Sequence, residues 1–387
     1  MRVAFICLGS PFTPSMLYKE NLFVHAAVEA GHEVLVVASD SEYVSGELHR
    51  TDSESSTTEH GYLLVRHPPL GILPRSIGDK LRIFPGLLAD LKSFAPDLVY
   101  FNVPQIHGLL YAKTLREMNP SIRIVVHFST TYINSGTNWA SLKLLHGTLY
   151  RRWITASLQY VDSVYYIMPE SKRFLVEVYG LPEARLEELP LPGELVPPAR
   201  RTQLRSEFRH SQGIPEDDLV FLHTGKMKAE KETLSLLRAF SESHNERWRL
   251  LIAGSFSDEI EVQARKLIAA DPRITYLGFV NGDDLIRALC AADLYLQPGT
   301  ASQTAQTALC CGTPVVVRKL DIYRDLVTAG GFLLNDADEL PAVFESIEAF
   351  PEQLESISHE AFGLARSRLD SRALFRRLQG GEVGSAP

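Results

Sequence analysis

The stretch FLHTGKMKAEKETLSLLRAF, residues 221–240, shows how this chain builds its fold. An apolar run typical of a buried strand ends at Gly225, a loop carrying three lysines follows, and an amphipathic helical pattern closes the stretch. Lysines held after a strand end suit a diphosphate, because each ammonium group provides a positive charge and three donors. Lysines in surface loops are also often simply solvated, so this stretch alone leaves both interpretations open.

Short apolar runs alternate with longer helical patterns on both sides of this stretch, which predicts βαβ units and parallel sheets. The first series places strands at Arg2–Leu8, Val34–Ala38, Asp97–Asn102, Ile122–Phe128 and Ser163–Met168. The second series places them at Leu219–Thr224, Arg249–Ala253, Ile274–Leu277, Leu294–Gln297 and Pro314–Val317. Two such series predict an α/β protein with two Rossmann-like domains facing across a cleft, with ligands beyond the carboxyl ends of the strands.

A proline-rich segment, residues 189–198, separates the two series. Prolines at this density oppose both helix and central strand, so we expect the interdomain linker here. The predicted domains are residues 1–190 and residues 191–365. Residues 366–387 are predicted to hold a C-terminal helix that could cross back to the first domain.

Composition excludes several classes of protein. The chain has 387 residues, of which 45% are hydrophobic and 22% charged, as expected of a globular protein long enough for two domains. Its 39 Lys and Arg against 47 Asp and Glu give a net charge of −8, so we expect no nucleic-acid partner. The four cysteines lack metal-ligand spacing, and no apolar run is long enough for a spanning helix. We therefore expect a cytoplasmic protein with reduced cysteines.

The lysine-rich stretch resembles the donor-binding turn of family 4 glycosyltransferases, which have the GT-B fold. In that family the pattern is roughly Gly-Arg-x-x-x-x-Lys-Gly, followed by a helix that ends Ala-Phe. In this chain the glycine is Gly225, the arginine position holds Lys226 and the lysine is Lys231. The resemblance implies that both lysines neutralise the donor diphosphate and act in catalysis. This chain departs from the pattern at Lys226, which replaces arginine, and at Glu232, which replaces glycine.

Further segments resemble the family in the same order. Residues 250–254 resemble its strand-glycine element, and residues 274–280 resemble the loop that meets the nucleobase, which implies base contacts for Phe279 and Val280. Residues 308–316, ALCCGTPVV, resemble the family's Glu-Ala-Met-Ala-Cys-Gly-Thr-Pro-Val-Val. Collinear elements over about 100 residues are more specific than any single motif.

Two glutamates that the family carries eight positions apart are missing here. Gly299 and Thr307 occupy their positions. The neutral loop between them starts a helix, and exposed backbone N–H groups at such a helix start suit a diphosphate. We therefore expect donor contacts from hydroxyl and amide side chains of the loop: Thr300, Ser302, Gln303, Thr304, Gln306 and Thr307. Helix capping alone is the competing interpretation.

The first domain resembles the family more loosely. Residues 30–34, AGHEV, match its Gly-His-Glu-Val turn, but its Gly-Gly loop near the phosphates is absent. Gly9 is the remaining candidate for a close backbone approach to the donor. His127 closes a predicted strand where the family has a histidine that contacts the donor sugar, so a catalytic role is implied. A histidine that is merely packed and hydrogen-bonded is the alternative.

One feature is independent of the family. Residues 118–161 contain no Asp or Glu, although the chain is acidic overall. Within them, residues 139–160 place Trp139 and Trp153 fourteen positions apart, close to four turns of an α-helix, so both indoles are expected on one face. With Lys143, Arg151 and Arg152 nearby, this helix could lie on the anionic inner face of a membrane. A core-packed helix with a solvated basic edge is the alternative.

The sequence therefore predicts a glycosyltransferase that moves a sugar from a nucleotide-sugar donor to a glycan, a lipid-linked sugar or a small molecule. We expect retention of configuration, no metal, and no cofactor, since the nucleotide sugar is a substrate. The missing glutamates keep open a second hypothesis, a catalytically inactive GT-B protein that binds sugar nucleotides or serves as a partner subunit. A GT-B epimerase fits less well, because no carboxylate pair can be assigned to its cleft.

Overall fold

The computed structural model describes residues 1–44, 47–51, 55–71, 75–135, 137–324, 327 and 330–381. The chain forms two compact units. Unit 1 comprises Met1–Pro190 together with the chain from Ser371, and unit 2 comprises Leu191–Asp370. From the sequence, these two boundaries were expected between residues 190 and 191 and between residues 365 and 366.

Unit 1 is built on a mainly parallel sheet. The strands of unit 1 are β1 (Arg2–Cys7), β2 (Glu33–Ser39), β3 (Ser41–Val44), β4 (Glu47–Arg50), β5 (Ser55–Thr57), β6 (Leu63–His67), β7 (Leu98–Asn102), β8 (Arg123–Phe128), β9 (Ser163–Tyr166) and β10 (Leu186–Glu188). Strands β3 and β4 pair antiparallel, separately from the large sheet. Within the described residues the large sheet has the order β10-β9-β8-β7-β1-β2-β6-β5, and β5 is its antiparallel strand.

The helices of unit 1 connect these strands. They are α1 (Lys19–Glu29), α2 (Arg75–Leu81), α3 (Leu87–Phe94), α4 (Ala112–Met118), α5 (Arg151–Ser157) and α6 (Pro169–Phe174). Two π-helical segments, Ser141–Tyr150 and Leu175–Tyr179, lead into α5 and follow α6. Short 3₁₀ turns lie at His107–Tyr111, Leu158–Tyr160 and Glu183–Arg185.

Unit 2 repeats the architecture with a fully parallel sheet. Its strands are β11 (Leu219–Met227), β12 (Trp248–Phe256), β13 (Ile274–Gly278), β14 (Leu294–Gln297), β15 (Val315–Arg318) and β16 (Gly331–Leu334), in the order β13-β12-β11-β14-β15-β16. Its helices are α7 (Pro198–Gln212), α8 (Thr233–Glu242), α9 (Asp258–Ala270), α10 (Gly282–Ala291), α11 (Gln303–Cys310), α12 (Asp321–Arg324), α13 (Leu340–Ala349) and α14 (Gln353–Arg368). Short 3₁₀ turns lie at Ala229–Lys231 and Ala337–Glu339.

The last helix, α15 (Ser371–Leu378), packs on unit 1. The ring of Phe375 lies 6.4 Å from that of Phe5 in β1, and the guanidinium of Arg123 in β8 donates to the carbonyl oxygen of Leu378 at 2.6 Å. The chain therefore returns to its first sheet after completing its second.

Alternation of side chains explains why the sheet of unit 1 is covered on both faces. In β1, Val3, Phe5 and Cys7 join a core that includes residues of α1 and α15, while Ala4 and Ile6 join the core on the other face. A sheet buried on both faces requires nearly continuous apolar strands, and such runs are what the sequence shows. The two sheets, one mainly and one fully parallel, confirm the predicted α/β class with two Rossmann-like units.

Candidate functional site

The carboxyl edge of the unit 2 sheet collects most of the predicted donor residues. The chain runs from β11 to β12 on one side and returns to β14 on the other, so the strand order reverses at β11. Ligands of doubly wound sheets bind beyond the strand ends at such a reversal. The turn 228–232 after β11 and the loop 298–302 after β14 lie there.

The turn after β11 is short and shaped by Glu232. A single 3₁₀ turn, Ala229–Lys231, leads to Glu232, whose φ of 57° lies in the left-handed region, and α8 begins at the next residue. Glycine adopts this conformation most readily, which accounts for the family's glycine at this position. Here the carboxylate of Glu232 accepts a hydrogen bond from the Ser235 hydroxyl at 2.9 Å, which engages the charge on α8.

Two glycines bring β11 and β12 together beside this turn. A Cβ at Gly254 would overlap the carbonyl oxygen of Gly225, so the residue at 254 must be glycine for the two strands to pair here. Gly225 itself has a φ of 130°, and nothing lies within 4 Å of the position its Cβ would take. The backbone at Gly225 is therefore open to the approach of another molecule.

The loop after β14 packs directly on the lysine turn. A Cβ at Gly299 would overlap the carbonyl oxygen of Glu230, and the Thr300 N–H donates to that same oxygen at 3.1 Å. The Lys231 ammonium donates to the carbonyl oxygen of Ala301 at 3.3 Å. The position where the family has its first glutamate is thus filled by the backbone of the neighbouring turn, which leaves no room for a side chain.

The two predicted lysines differ in their surroundings. Lys226 is exposed at the end of β11, whereas Lys231 is half-buried between the turn and the loop. Burial lowers the pKa of Lys231 to about 8, against an opposing contribution from Glu230. An anion placed beside Lys231 would restore the charged form, because opposite charge favours ionisation.

The start of α11 shows capping by several of the predicted donor residues. The Ser302 hydroxyl accepts the Thr304 N–H at 3.3 Å, and the Thr307 hydroxyl donates back to the carbonyl of Gln303 at 3.3 Å. Tyr323 fixes the same cap, because its hydroxyl accepts the Ser302 N–H and donates to the Ser302 carbonyl. The hydroxyls of Ser302 and Thr307 therefore make local contacts to the helix. Thr307 is also buried, which argues against its predicted donor contact.

The remaining predicted residues of this edge lie as follows. Thr300 is exposed, and Gln303 and Thr304 are half-buried. Gln306 is buried, and in the part of the chain that the structure describes its Oε1 has no hydrogen-bond partner. Gly278 ends β13 with a φ of 72°, and after it Phe279 is 48% exposed and Val280 is half-buried. An exposed aromatic ring at a strand end can stack on a nucleobase, so the base contact stays a prediction.

A buried network that the sequence analysis did not identify supports this edge. The Nδ1 of His223 in β11 bonds the Leu296 carbonyl at 2.7 Å, and its Nε2 bonds the Thr233 hydroxyl at 2.9 Å, so one ring joins β11, β14 and α8. Burial lowers the pKa of His223 to about 4, which keeps the ring neutral. The Gln297 amide donates to the Thr300 carbonyl at 2.8 Å and so holds the loop. The only sequence signal was a polar residue inside each apolar strand.

The predicted residues of unit 1 are packed inside it. His127 is fully buried, its Nδ1 pairs with the Tyr100 hydroxyl at 2.8 Å, and its Nε2 pairs with the Leu189 carbonyl at 3.0 Å. Burial holds the pKa of His127 well below its usual value. With no exposed ring atom and both nitrogens engaged, the ring does not offer the predicted sugar contact, and the packed alternative describes it.

Gly9 has a structural reason to be glycine. A Cβ there would lie 2.7 Å from the Cβ of Val103, which follows β7 and has an unusual φ of 52° for a β-branched residue. The close approach at Gly9 is to the neighbouring chain segment, and this accounts for the residue without the predicted donor contact.

The basic segment of unit 1 has one exposed indole, where two were expected. Trp139 is 70% exposed, whereas Trp153 is 7% exposed and lies in the core. The prediction that both indoles share one face was wrong because residues 141–150 form a π-helix. A π-helix has more residues per turn than an α-helix, so fourteen positions no longer correspond to four turns. Ile133 and Leu144 are also exposed.

The described residues contain neither a membrane-spanning helix nor a cluster of metal ligands. No helix of the described residues is long and apolar enough to cross a membrane. Over the same residues, no group of three or more His, Cys, Asp and Glu side chains is arranged to hold a metal ion. The four cysteines are buried and free.

Comparison with known proteins identifies the class. Residues 22–192 match the model of Glycosyltransferase Family 4, and residues 218–350 match that of Glycosyl transferases group 1. The fold and both matches define a GT-B glycosyltransferase. The chain is therefore a glycosyltransferase, whose first part matches family 4 and whose second part matches group 1, as its lysine turn and downstream elements predicted.

Individual relatives agree with this assignment. A 126-residue part of the chain, 31% of its length, is 32% identical to an uncharacterised glycosyltransferase of Methanocaldococcus jannaschii, MJ1607, and spans 32% of that protein. The structure of Anabaena HepE in complex with UDP matches 98% of this chain and 99% of its own with a TM-score of 0.68 at 16% identity. WaaG, a glycosyltransferase involved in lipopolysaccharide biosynthesis, matches 98% of this chain and all of its own (100%), with a TM-score of 0.64 at 17% identity. At these identities the two solved structures show the fold.

Proposed function

We propose that this protein transfers a sugar from a nucleotide-sugar donor to an acceptor, and that the donor diphosphate lies at the carboxyl edge of the unit 2 sheet. The observation that carries the proposal is the lysine turn itself. Exposed Lys226 and the open backbone of Gly225 lie near the end of β11, the strand at which the order reverses, and half-buried Lys231 lies in the turn that follows. Doubly wound folds bind ligands at such reversals.

The proposed chemistry is stabilisation of the leaving group. As the bond between sugar and diphosphate breaks, negative charge grows on the diphosphate oxygens. Lys226 and Lys231 would neutralise that charge, and positioned cations in a partly dry site do this more effectively than water. Neither role needs the two missing glutamates, since donor placement and leaving-group stabilisation rest on cations and backbone donors. We propose retention of configuration and no metal requirement on the same basis.

UDP is the first nucleotide to test, because HepE is described in complexes with UDP and UDP-glucose. Calorimetry should show UDP binding to the wild type and a loss of about 1.5–3 kcal/mol on Lys231→Ala or Lys226→Ala, the range for hydrogen bonds to charged groups. Lys266→Ala is the control, since Lys266 is an exposed lysine of the same unit on α9, outside the turn and the loop. Equal affinity in all four proteins would refute the proposed site. GDP, ADP and dTDP complete the screen of bases.

Turnover separates the two functional hypotheses. An active enzyme releases free nucleoside diphosphate from the nucleotide sugar when an acceptor is present, whereas an inactive binding protein does not. Release that persists in EDTA would support the metal-free reaction. Release abolished by EDTA and restored by one divalent ion would contradict it.

We also propose that unit 1 contacts an anionic membrane surface through the exposed part of its basic segment. Ile133 is 80% exposed and Leu144 55%, and they accompany Trp139 and the exposed Lys143, Arg151 and Arg152. An exposed indole among basic residues is typical of interfacial binding. In flotation with anionic liposomes at low salt, Trp139→Ala should lose binding. Phe350→Ala, a change at an aromatic residue of unit 2 that is 60% exposed, should keep it. Wild-type protein that stays soluble would contradict this proposal.

A further inference from the structure

Unit 1 contains a cavity that the lysine turn does not explain. The cavity measures about 590 Å³, within the usual range for small-molecule sites. It lies beside the β3–β4 hairpin and the β5–β6 pair, and we call it the hairpin cavity. Its lining residues are Pro14, Ser15, Glu42, Arg50, Thr51, Ser56, Thr58, Glu59, His60, Leu64 and Arg66. All belong to unit 1.

The floor of the hairpin cavity is fixed by Arg66. This buried guanidinium donates to the carbonyl oxygens of Phe12 and Ser39, each at 3.0 Å, and to the Glu42 carboxylate at 2.7 Å. Burying an arginine is costly unless its donors are engaged in this way. The bonds hold Glu42 at the wall, so its carboxylate is positioned before any ligand arrives.

The cavity and the carboxylates beside it carry no excess of positive charge, because two guanidiniums face four carboxylates. Arg66 faces Glu42, and Arg50 reaches Asp40 at 3.0 Å and Asp79 at 3.1 Å. Both guanidiniums of the lining are therefore already neutralised by carboxylates. A phosphate or nucleotide would find no excess positive charge here, in contrast to the lysine turn of unit 2. The lining suits a neutral ligand that both donates and accepts hydrogen bonds.

The remaining lining is rich in hydroxyls and has flat sides. Ser15 and Ser56 are exposed, and so is the Glu59 carboxylate. The ring of His60 lies 4.6 Å from that of His25 and stacks on Tyr62 with an interplanar angle of 5°, so it presents a fixed flat surface. Carboxylates accept hydrogen bonds from sugar hydroxyls, and the hydroxyls of serine and threonine both donate and accept hydrogen bonds. A pyranose ring combines such polar edges with apolar faces.

We infer that the hairpin cavity binds the sugar ring of the acceptor, as a neutral pyranoside. This inference deepens the proposed function and rests on it. The opposite charge character of the two sites supports it: unit 2 offers cations to a diphosphate, and unit 1 offers a neutral polyol site. The acceptor sugar lies among Glu42, Glu59 and the hydroxyls of the cavity, and Arg66 is the positioning residue that holds Glu42.

The test uses the full chain with free glucose, galactose, mannose and N-acetylglucosamine as probes. Saturation-transfer-difference NMR at millimolar sugar should show ring-proton signals from at least one of them with the wild type. Glu42→Gln and Glu59→Gln should each weaken that sugar's binding at least fivefold and leave UDP affinity unchanged. Glu47→Gln is the matched control, because Glu47 is exposed on β4 outside the cavity.

Each result decides the matter. Loss of sugar binding in either cavity variant, with the control and UDP affinity intact, supports the inference, and unchanged thermal unfolding shows that the variant is folded. No sugar signal with the wild type, or signals that survive both cavity changes, overturns it. UDP binding that fails in the wild type overturns the proposed function instead, so the two failures are distinguishable.

Discussion

Ligand-binding residues were predicted at the carboxyl edges of both sheets, but these residues have different surroundings in the two units. In unit 2 the exposed Lys226 lies next to the end of β11, and the half-buried Lys231 lies in the turn that follows. In unit 1 the predicted His127 lies within β8 and is fully buried. His127 is paired with strands on both sides, through Asn102 of β7 and Tyr165 of β9, whereas Lys226 still pairs with β12 but lies past the last pairing of β11 with β14. A strand residue with neighbours on both sides is buried in a doubly covered sheet, and one at a strand end that has lost a neighbour can be exposed.

The largest effect is expected where the two loops of unit 2 touch. Gly299→Glu restores the family's carboxylate, but its side chain would overlap Glu230, so we expect a loss of stability of about 1–3 kcal/mol, as for overpacking, and at least tenfold weaker UDP binding. Denaturant unfolding and calorimetry measure both. Gly299→Ala should show most of the loss, because the overlap begins at Cβ. Gly363→Ala, with open space around its Cβ in α14, is the control and should be neutral or stabilising.

The next effect tests the half-buried lysine through pH. With its pKa near 8, free Lys231 loses its proton as the pH rises, and a diphosphate binds the charged form. UDP affinity should therefore fall about tenfold between pH 7 and pH 9, as one titrating group requires. Lys231→Arg should bind with little pH dependence over this range, since arginine stays charged. If the UDP affinity of the wild type is as independent of pH as that of the arginine variant, Lys231 does not face the diphosphate.

Parts of this site were open to prediction and parts were not. Lys226 and Lys231 follow a recognisable strand and precede an amphipathic helix, so local pattern was enough. The closure of Gly299 onto Glu230 joins residues about 70 positions apart, and His223 joins β11 to both β14 and α8. Such contacts depend on the pairing of whole elements. The π-helix before α5 likewise depends on packing, and an α-helical period misplaced Trp153.

A smaller effect distinguishes capping from ligand binding at α11. Ser302→Ala removes the cap of the Thr304 N–H and should cost about 0.5–2 kcal/mol of stability, with UDP affinity changed less than about threefold. Ser302→Asp retains a cap but adds negative charge at the same point. If the diphosphate lies near this helix end, the aspartate variant should be stable and bind UDP more weakly than the alanine variant. The reverse order of affinities would place the diphosphate elsewhere.

The smallest effect on binding is expected at His127, and it tests the comparison from the side of unit 1. His127→Phe keeps an aromatic ring but leaves the Tyr100 hydroxyl and the Leu189 carbonyl without their partner, so the unfolding free energy should fall by about 1–3 kcal/mol. UDP affinity should stay within about twofold, because no ring atom is exposed to a ligand. Burial lowers the pKa of His127, while the unfolded chain takes up this proton near pH 6.5. The contribution of the neutral ring to stability is therefore present above that pH and declines as the pH falls below it, a decline that the variant lacks. Denaturant unfolding at pH 7.5 and pH 5 measures this difference, and calorimetry at pH 7.5 measures affinity. A variant with unchanged stability and tenfold weaker UDP binding would show that the ring reaches the donor after all.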